Sequence, residues 1–273
     1  MTTQQDTNRL DRIFAELRDT GRKGLMPFVV GGHPTPESLP NVLRALDQAG
    51  ASVIEIGFPF SDPVADGPVI AEAMHQALGK GVTSKSVLEG VRQCRAAVNA
   101  GLVAMISASL VHRMGGPGAF AQEAAKAGID GCIFPDVTLE EAGPYVEACR
   151  ANGLCVSLLV APTTPPERAR RIMQHCSGFV YVIARAGITG ESGGPPEIAG
   201  RIAELRKLTD LPLAVGFGIS TPEQVRMVTA HADAAIVGSA LVRRMSDAYA
   251  SGDSPVDAAK SMVFTLAEGI GSD

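Results

Sequence analysis

The sequence predicts a (β/α)8 barrel of the TIM type with one extra helix at its N-terminus. Three observations predict it. First, one unit recurs eight times along the 273 residues: an apolar strand, a Gly/Pro loop, a helix-start signal and an amphipathic helix. Second, the strands are apolar nearly throughout, the pattern of a parallel sheet covered by helices. Third, eight such units in about 250 residues suit a closed barrel better than an open doubly wound sheet, the structural alternative. No linker or shift in composition divides the chain. Residues 1–273 are therefore expected to form one barrel domain, with residues 1–7 frayed.

In chain order, Asn8–Lys23 places Leu10, Ile13, Phe14 and Leu17 on one face and reads as a leading amphipathic helix. Strands are expected at Met26–Gly32, Ser52–Gly57, Val103–Ala108, Gly131–Val137, Cys155–Ala161, Gly178–Ala184, Leu213–Gly218 and Ala234–Val237. Helices are expected from Thr35-Pro36-Glu37 to Gly50, from about Val69 to Leu78, over Thr83–Asn99 and over Gly118–Gly128. Further helices run from Thr138 to Gly153, from Thr164 to His175, over Glu197–Leu208, from Ser220-Thr221-Pro222-Glu223, and after Gly238-Ser239. A Thr or Ser ahead of Pro and Glu starts a helix because the hydroxyl caps free N–H groups, Pro suits the first turn and Glu complements the dipole.

Composition excludes several functions. The formal net charge is −5 and no basic run occurs, which argues against nucleic acid and anionic membrane as partners. Five cysteines are scattered without a CxxC pair and read as reduced thiols. The five histidines have no metal-ligand spacing, so no metal site is expected. No apolar run spans a bilayer, and the polar N-terminus is unlike a signal peptide; a cytoplasmic protein is the expectation.

The stretch Val53–Pro68, VIEIGFPFSDPVADGP, carries the chemistry. Glu55 lies in an apolar strand, near the end where barrels keep their active sites. Facing inward, it would be desolvated, with a raised pKa suited to acid–base work near neutral pH. Paired with an Arg or Lys, it would be a core ion pair instead. Asp66, beside Gly67 and Pro68, reads as a turn residue or as a second acid in a different environment. Asp62 before Pro63 has the same turn reading. Tyr181, within a strand, is by itself a packing residue.

Gly216–Ser220 and Val237–Ala240 follow the seventh and eighth strands, where phosphate-binding barrels hold their anion. Bare glycines and a helix opening at Ser239 would aim N–H groups at a phosphate. Plain βα turns are the other reading. The Gly-rich segment Ala186–Gly194 would be a lid or a long connection. A phosphorylated small molecule is the expected substrate class.

These motifs resemble the tryptophan synthase alpha subunit family. IEIGFPFSDPVADGPVI, YVIARAGITG (Tyr181–Gly190), GFGIS (Gly216–Ser220) and GSA (Gly238–Ala240) are similar to the signature segments of that family, and the likeness covers nearly the whole chain. The resemblance implies a (β/α)8 lyase that cleaves indole-3-glycerol phosphate to indole and glyceraldehyde 3-phosphate. It implies Glu55 as the acid–base residue and Asp66 as acceptor of the indole N–H. It implies Tyr181 beside Glu55, Phe28 and Phe217 flanking the indole, and Thr189 orienting Asp66. Gly190, Gly218, Gly238 and Ser239 would hold the phosphate. It further implies a beta subunit as partner, in an alpha2–beta2 tetramer, with Pro59 and Asp62 facing it. No cofactor is expected in this chain; pyridoxal phosphate would belong to the beta subunit. The chain departs from the family pattern at His33, Ser107, Ser109 and Thr138, which opens a variant that releases indole freely. Another phosphate-binding barrel, such as a sugar-phosphate isomerase or epimerase, and a catalytically silent partner-activator are the competing readings.

Overall fold

The structure is a computed structural model that describes residues 8–63, 66–184, 198–216 and 218–270. Its strands are β1 (Gly24–Val30), β2 (Val53–Gly57), β3 (Gly101–Met105) and β4 (Gly131–Ile133). They continue with β5, in two pieces (Cys155–Ser157 and Leu159–Val160), β6 (Val180–Ile183), β7 (Leu213–Gly216) and β8 (Ala234–Val237). All pair in parallel, in the order β5 first piece, β4, β3, β2, β1, β8, β7, β6, β5 second piece. The two ends of this order belong to one strand, so the sheet curls into a barrel around β5. β1, β2 and β8 are buried along their whole length, as strands with helices outside and a packed interior must be.

The helices are α1 (Arg9–Asp19), α2 (Leu39–Gln48), α3 (Pro68–Gly79), α4 (Ser84–Cys94), α5 (Ala108–Arg113) and α6 (Pro117–Ala127). They continue as α7 (Ala142–Ala151), α8 (Pro166–Met173), α9 (Ala199–Arg206), α10 (Pro222–Thr229), α11 (Ser239–Ala250) and α12 (Pro255–Ala267). α1 closes the N-terminal end of the barrel. Asn8 caps it by accepting the Leu10 N–H at 2.8 Å, and its amide anchors the helix to Asp130 O at 2.8 Å and Gly153 O at 2.7 Å. Leu10, Phe14 and Leu17 then pack among Met26, Val53, Val103, Ile133 and Phe179 inside the barrel. Glycine makes room for this plug. A Cβ on Gly131 would stand 2.8 Å from Leu10 Cδ1, and one on Gly101 would run into Leu10 Cδ2.

Carboxylates tie the N-terminal ends of the strands together. Asp130 accepts the Leu102 N–H at 2.8 Å and an Arg95 Nη1–H at 3.1 Å, with Arg9 Nε 3.4 Å away. Asp233 does the same on the far side, accepting from Leu213 N at 2.7 Å and Arg206 Nη2 at 2.5 Å.

The structure departs from the sequence expectations at several ends. α5 occupies residues assigned to the end of a strand and its loop, because Ser107 Oγ caps Leu110 N at 3.3 Å and stops β3. β4 is short, since Pro135 has no N–H to extend the ladder. Thr35, Thr138 and Thr164 are turn residues and not caps: Thr138 Oγ1 donates to Glu141 at 2.8 Å, and α7 starts at Ala142. Thr83 and Thr221 do form capping boxes.

Removing Asp130 should leave the largely buried Arg95 guanidinium without its carboxylate. Asp130→Ala is expected to lower unfolding free energy by about 3 kcal/mol, read from urea denaturation. A loss under about 1 kcal/mol would mean that this pair contributes no more than a surface one.

Candidate active site

β2 aims alternate side chains inward. Val53 joins the interior cluster, while Ile54 and Ile56 face the helices, so Glu55 points into the barrel. Phe28 of β1 stands opposite Glu55 in the ladder, and Val103 of β3 flanks it on the other side. In a closed eight-stranded barrel the strands tilt, and one level takes its side chains from alternate strands. Followed through that tilt, the ladder registers bring Glu55 of β2 level with Ile133 of β4, Tyr181 of β6 and Ile236 of β8.

Glu55 is 0% exposed, and neither carboxyl oxygen has a hydrogen-bond partner among the described residues. Burial alone pushes its pKa up to about 8. Among the described residues no cation offsets that shift and none pairs with the carboxyl, so they form no core ion pair with Glu55. Asp66 lies on the turn ahead of α3, its N–H donating to Pro63 O at 3.1 Å. It too is largely withdrawn from water, and burial raises its pKa to about 6.

Tyr181 links the two acids. Burial first, then the charges of Glu55 and Asp66, push its phenol well above the usual range. Both acids therefore lie within electrostatic reach of Tyr181. The Tyr181 hydroxyl lies over the end of β7, where a Cβ on Gly216 would come within 3.0 Å of it. Across the mouth, the Phe28 ring covers Gly57, which has no room for a side chain beneath it.

Gly238 and Ser239 open α11. Gly238 has no side chain to cap the helix, and Ser239 is buried. A Cβ on Gly238 would meet only ordinary contacts, 3.8 Å to Phe28 Cβ and 3.9 Å to Ile70 Cδ1. The protein's own packing does not demand a bare backbone here, whereas an approaching anion would. Gly218 takes a left-handed turn, φ 53°, beyond β7. Thr189, Gly190 and Phe217 lie outside the described residues.

Asp62 is exposed on the loop after β2, whereas Pro59 is buried. Of the departures, Ser107 is the buried cap of α5, Ser109 and Thr138 are exposed, and His33 is buried behind the site. Sequence reasoning passed over Ile133 and Ile236, the apolar partners of Glu55 at its level. Their inward parity was the available signal. Among the described residues, no cluster of three or more His, Cys, Asp or Glu could hold a metal ion, and no helix is long and apolar enough to cross a membrane.

Acids at the inner, C-terminal end of a parallel barrel stand where barrel enzymes keep their active sites. The family model for the tryptophan synthase alpha chain matches residues 14–270. The chain is 45% identical over 240 residues to the tryptophan synthase alpha chain of Alkalilimnicola ehrlichii, covering 88% of each. It is 40% identical over 263 residues to that of Phenylobacterium zucineum, covering 96% of this chain and 95% of the relative. The solved structure of the alpha subunit from Legionella pneumophila superposes with a TM-score of 0.90 at 35% identity, covering 96% of this chain and 98% of that one. The structure of Mycobacterium tuberculosis tryptophan synthase gives a TM-score of 0.88 at 31% identity, covering 98% and 100%. The chain belongs to the tryptophan synthase alpha chain family. These are lyases of tryptophan biosynthesis that cleave indole-3-glycerol phosphate to indole and glyceraldehyde 3-phosphate, and they work with a beta subunit.

The buried Glu55 should leave a thermodynamic signature. Its folded pKa lies above the unfolded one, so the folded state holds a proton that the unfolded chain releases. The contribution of Glu55 to stability should therefore fall as pH rises from about 4.5 to about 8. Glu55→Gln should remove that fall and gain a few kcal/mol at pH 8 relative to pH 5. Parallel urea curves for both proteins at both pH values would show Glu55 to be ionised or paired.

Proposed function

We propose that Glu55 and Asp66 together carry the carbon–carbon cleavage, within one barrel unit spanning the chain. The observation behind this is the splitting of two carboxyls at one barrel mouth: Glu55 near 8 and Asp66 near 6. Between those values Glu55 holds a proton and Asp66 does not. Paired titratable groups with divided pKa values are the mark of an acid and a charge-stabilising base in one site.

The reaction is a retro-aldol fragmentation. Glu55 gives its proton to the indole ring carbon that bears the side chain. The ring becomes an indolenine cation, and the N–H grows more acidic. Ionised Asp66 accepts that N–H and stabilises the developing positive charge, an interaction stronger in the transition state than in the bound substrate. Glu55, now a carboxylate, takes the proton of the adjacent hydroxyl. The C–C bond breaks toward the ring, an aldehyde forms, and Glu55 is again protonated. No net proton is consumed.

Phe28 and Phe217 would flank the indole, with Tyr181 beside Glu55. Gly190, Gly218, Gly238 and Ser239 would take the phosphate on bare backbone and the N-terminus of α11, and Thr189 would orient Asp66. Ile133 and Ile236 keep the acid's surroundings apolar. We further propose an alpha2–beta2 assembly in which the exposed Asp62 meets the beta subunit and indole passes to it directly. Pyridoxal phosphate is the partner's cofactor in this reading.

The test is indole release from indole-3-glycerol phosphate by the purified chain, with and without a cognate beta subunit. Weak release alone and strong stimulation by the partner are expected; strong release alone would indicate a free-standing lyase. Glu55→Gln and Asp66→Asn should each cut kcat at least about 100-fold with the fold intact. Normal rates in either variant would remove that residue from the mechanism.

The kcat/KM profile should be bell-shaped. Its acid limb should lie near 6, where Asp66 loses its charge, and its alkaline limb near 8, where Glu55 loses its proton. A profile that keeps rising beyond pH 9 would rule out protonated Glu55 as the acid.

A further inference from the structure

The loop leaving β1 packs where three site-bearing elements meet. Gly32 turns left-handed at φ 78°, and a Cβ on it would stand 2.5 Å from Val82 Cγ2. His33 follows, only 2% exposed. Its N–H donates to Val30 O at 3.1 Å, which closes the turn onto β1. Its Nε2 lies 2.9 Å from Ser246 Oγ on α11. Ser246 has one hydroxyl proton and donates it to Val242 O at 3.0 Å. With that proton on Val242 O, the hydroxyl accepts from His33, and the arrangement corresponds to the neutral Nε2–H tautomer.

The other ring nitrogen, Nδ1, is buried and has no hydrogen-bond partner among the described residues. Beside it, Lys80 at the end of α3 donates to Pro34 O at 2.6 Å and lies 4.6 Å over the Tyr249 ring of α11. The charged groups that act on the imidazole are Lys80, which opposes protonation, and Glu72 of α3, which favours it. Burial, the largest effect, acts with Lys80 against Glu72 and holds the pKa down to about 4.

We propose that His33 is a positioning residue for the phosphate end of the site. Its neutral ring ties β1, which carries Phe28, to α11, which opens at Gly238 and Ser239. Lys80 ties the same loop to α3, which follows Asp66. Ser246 lies seven residues beyond Ser239 in α11, two turns along the same face. A tether there fixes the axis of the helix whose first turn meets the anion. This inference rests on the phosphate assignment made above for Gly218, Gly238 and Ser239.

The test uses sn-glycerol 3-phosphate as a non-reacting probe of the phosphate turn, with steady-state kinetics alongside. Ser246→Ala and His33→Leu should each weaken binding of the probe about fivefold and raise KM for indole-3-glycerol phosphate similarly, with kcat changed by less than about twofold. His33→Gln, whose amide can present an N–H to Ser246, should restore both. A pH signature should accompany the effect. The unfolded chain takes up a proton near pH 6.5 that folded His33 refuses until about 4, so the contribution of His33 to stability is lost as pH drops from about 6.5 to about 4. His33→Gln and His33→Leu should each lack this one-proton dependence. Wild-type binding of the probe that Ser246→Ala and His33→Leu leave unchanged would overturn this inference alone. No binding by the wild type would overturn the phosphate assignment and the inference with it.

Discussion

The rest of the site depends on one desolvated carboxyl. A carboxylate inside an apolar barrel without a cation or N–H donor loses its hydration and gains nothing in return. Glu55 answers that constraint by holding its proton, and a held proton at neutral pH is what a general acid requires. The condition persists only while the interior stays dry. Dryness begins at the opposite end, where α1 fills the barrel with Leu10, Phe14 and Leu17. That plug fits because Gly101 and Gly131 offer no side chains against Leu10. Two glycines at the floor thus bear on the protonation of an acid at the mouth.

The two ends of the barrel use the same functional group in opposite ways. At the N-terminal end, Asp130 and Asp233 meet strand N–H groups and guanidinium ions, and they act as cross-links between neighbouring strands. Burial still raises the pKa of Asp130, but the Leu102 N–H, Arg95 and Arg9 all pull it back. At the other end, no such group among the described residues opposes the rise at Glu55 or Asp66. The difference lies in the partners supplied, not in the side chain. It follows the barrel's division into a stability face and a reactive face.

Much of this was legible in the residues themselves. Apolar runs marked all eight strands, and the eighth falls at Ala234–Val237 as expected. Alternation put Glu55 on one face with Val53 and Gly57 and opposite Ile54 and Ile56, but which face is inward was open until the barrel closed. Helix starts were less legible, because a Thr ahead of Glu serves a cap and a turn equally well. Thr83 and Thr221 make capping boxes, whereas Thr138 turns its hydroxyl onto Glu141. α5 was invisible because its cap, Ser107, lies within an apolar run that reads as strand. Which groups share a level with Glu55 depends on tilt and register around a closed ring, and no local pattern encodes that. The choice between an ion-paired core glutamate and an unpaired acid was likewise a matter of tertiary neighbours. For Glu55 and Asp66, the family signature carried what local residue chemistry left open.

Glu55 and Asp66 also differ in how firmly they are held. Glu55 sits mid-ladder between β1 and β3, so its position is set by backbone pairing on both sides. Asp66 sits on a turn, one residue before the extended Gly67 that starts α3. In the proposed reaction an apolar ring entering the mouth displaces water, which disfavours the charged form of Glu55 still further. The same ring brings an N–H to Asp66, which favours its charged form. Substrate therefore drives the two pKa values apart. The acid that must keep its proton keeps it more firmly, and the acid that must stay ionised is ionised more completely. A rigid strand suits the first role, since the proton has one carbon to reach. A turn suits the second, since the carboxylate can follow the indole nitrogen as the ring changes hybridisation. The placement of one acid in a ladder and the other on a loop thus matches the different geometric demands of proton transfer and charge stabilisation.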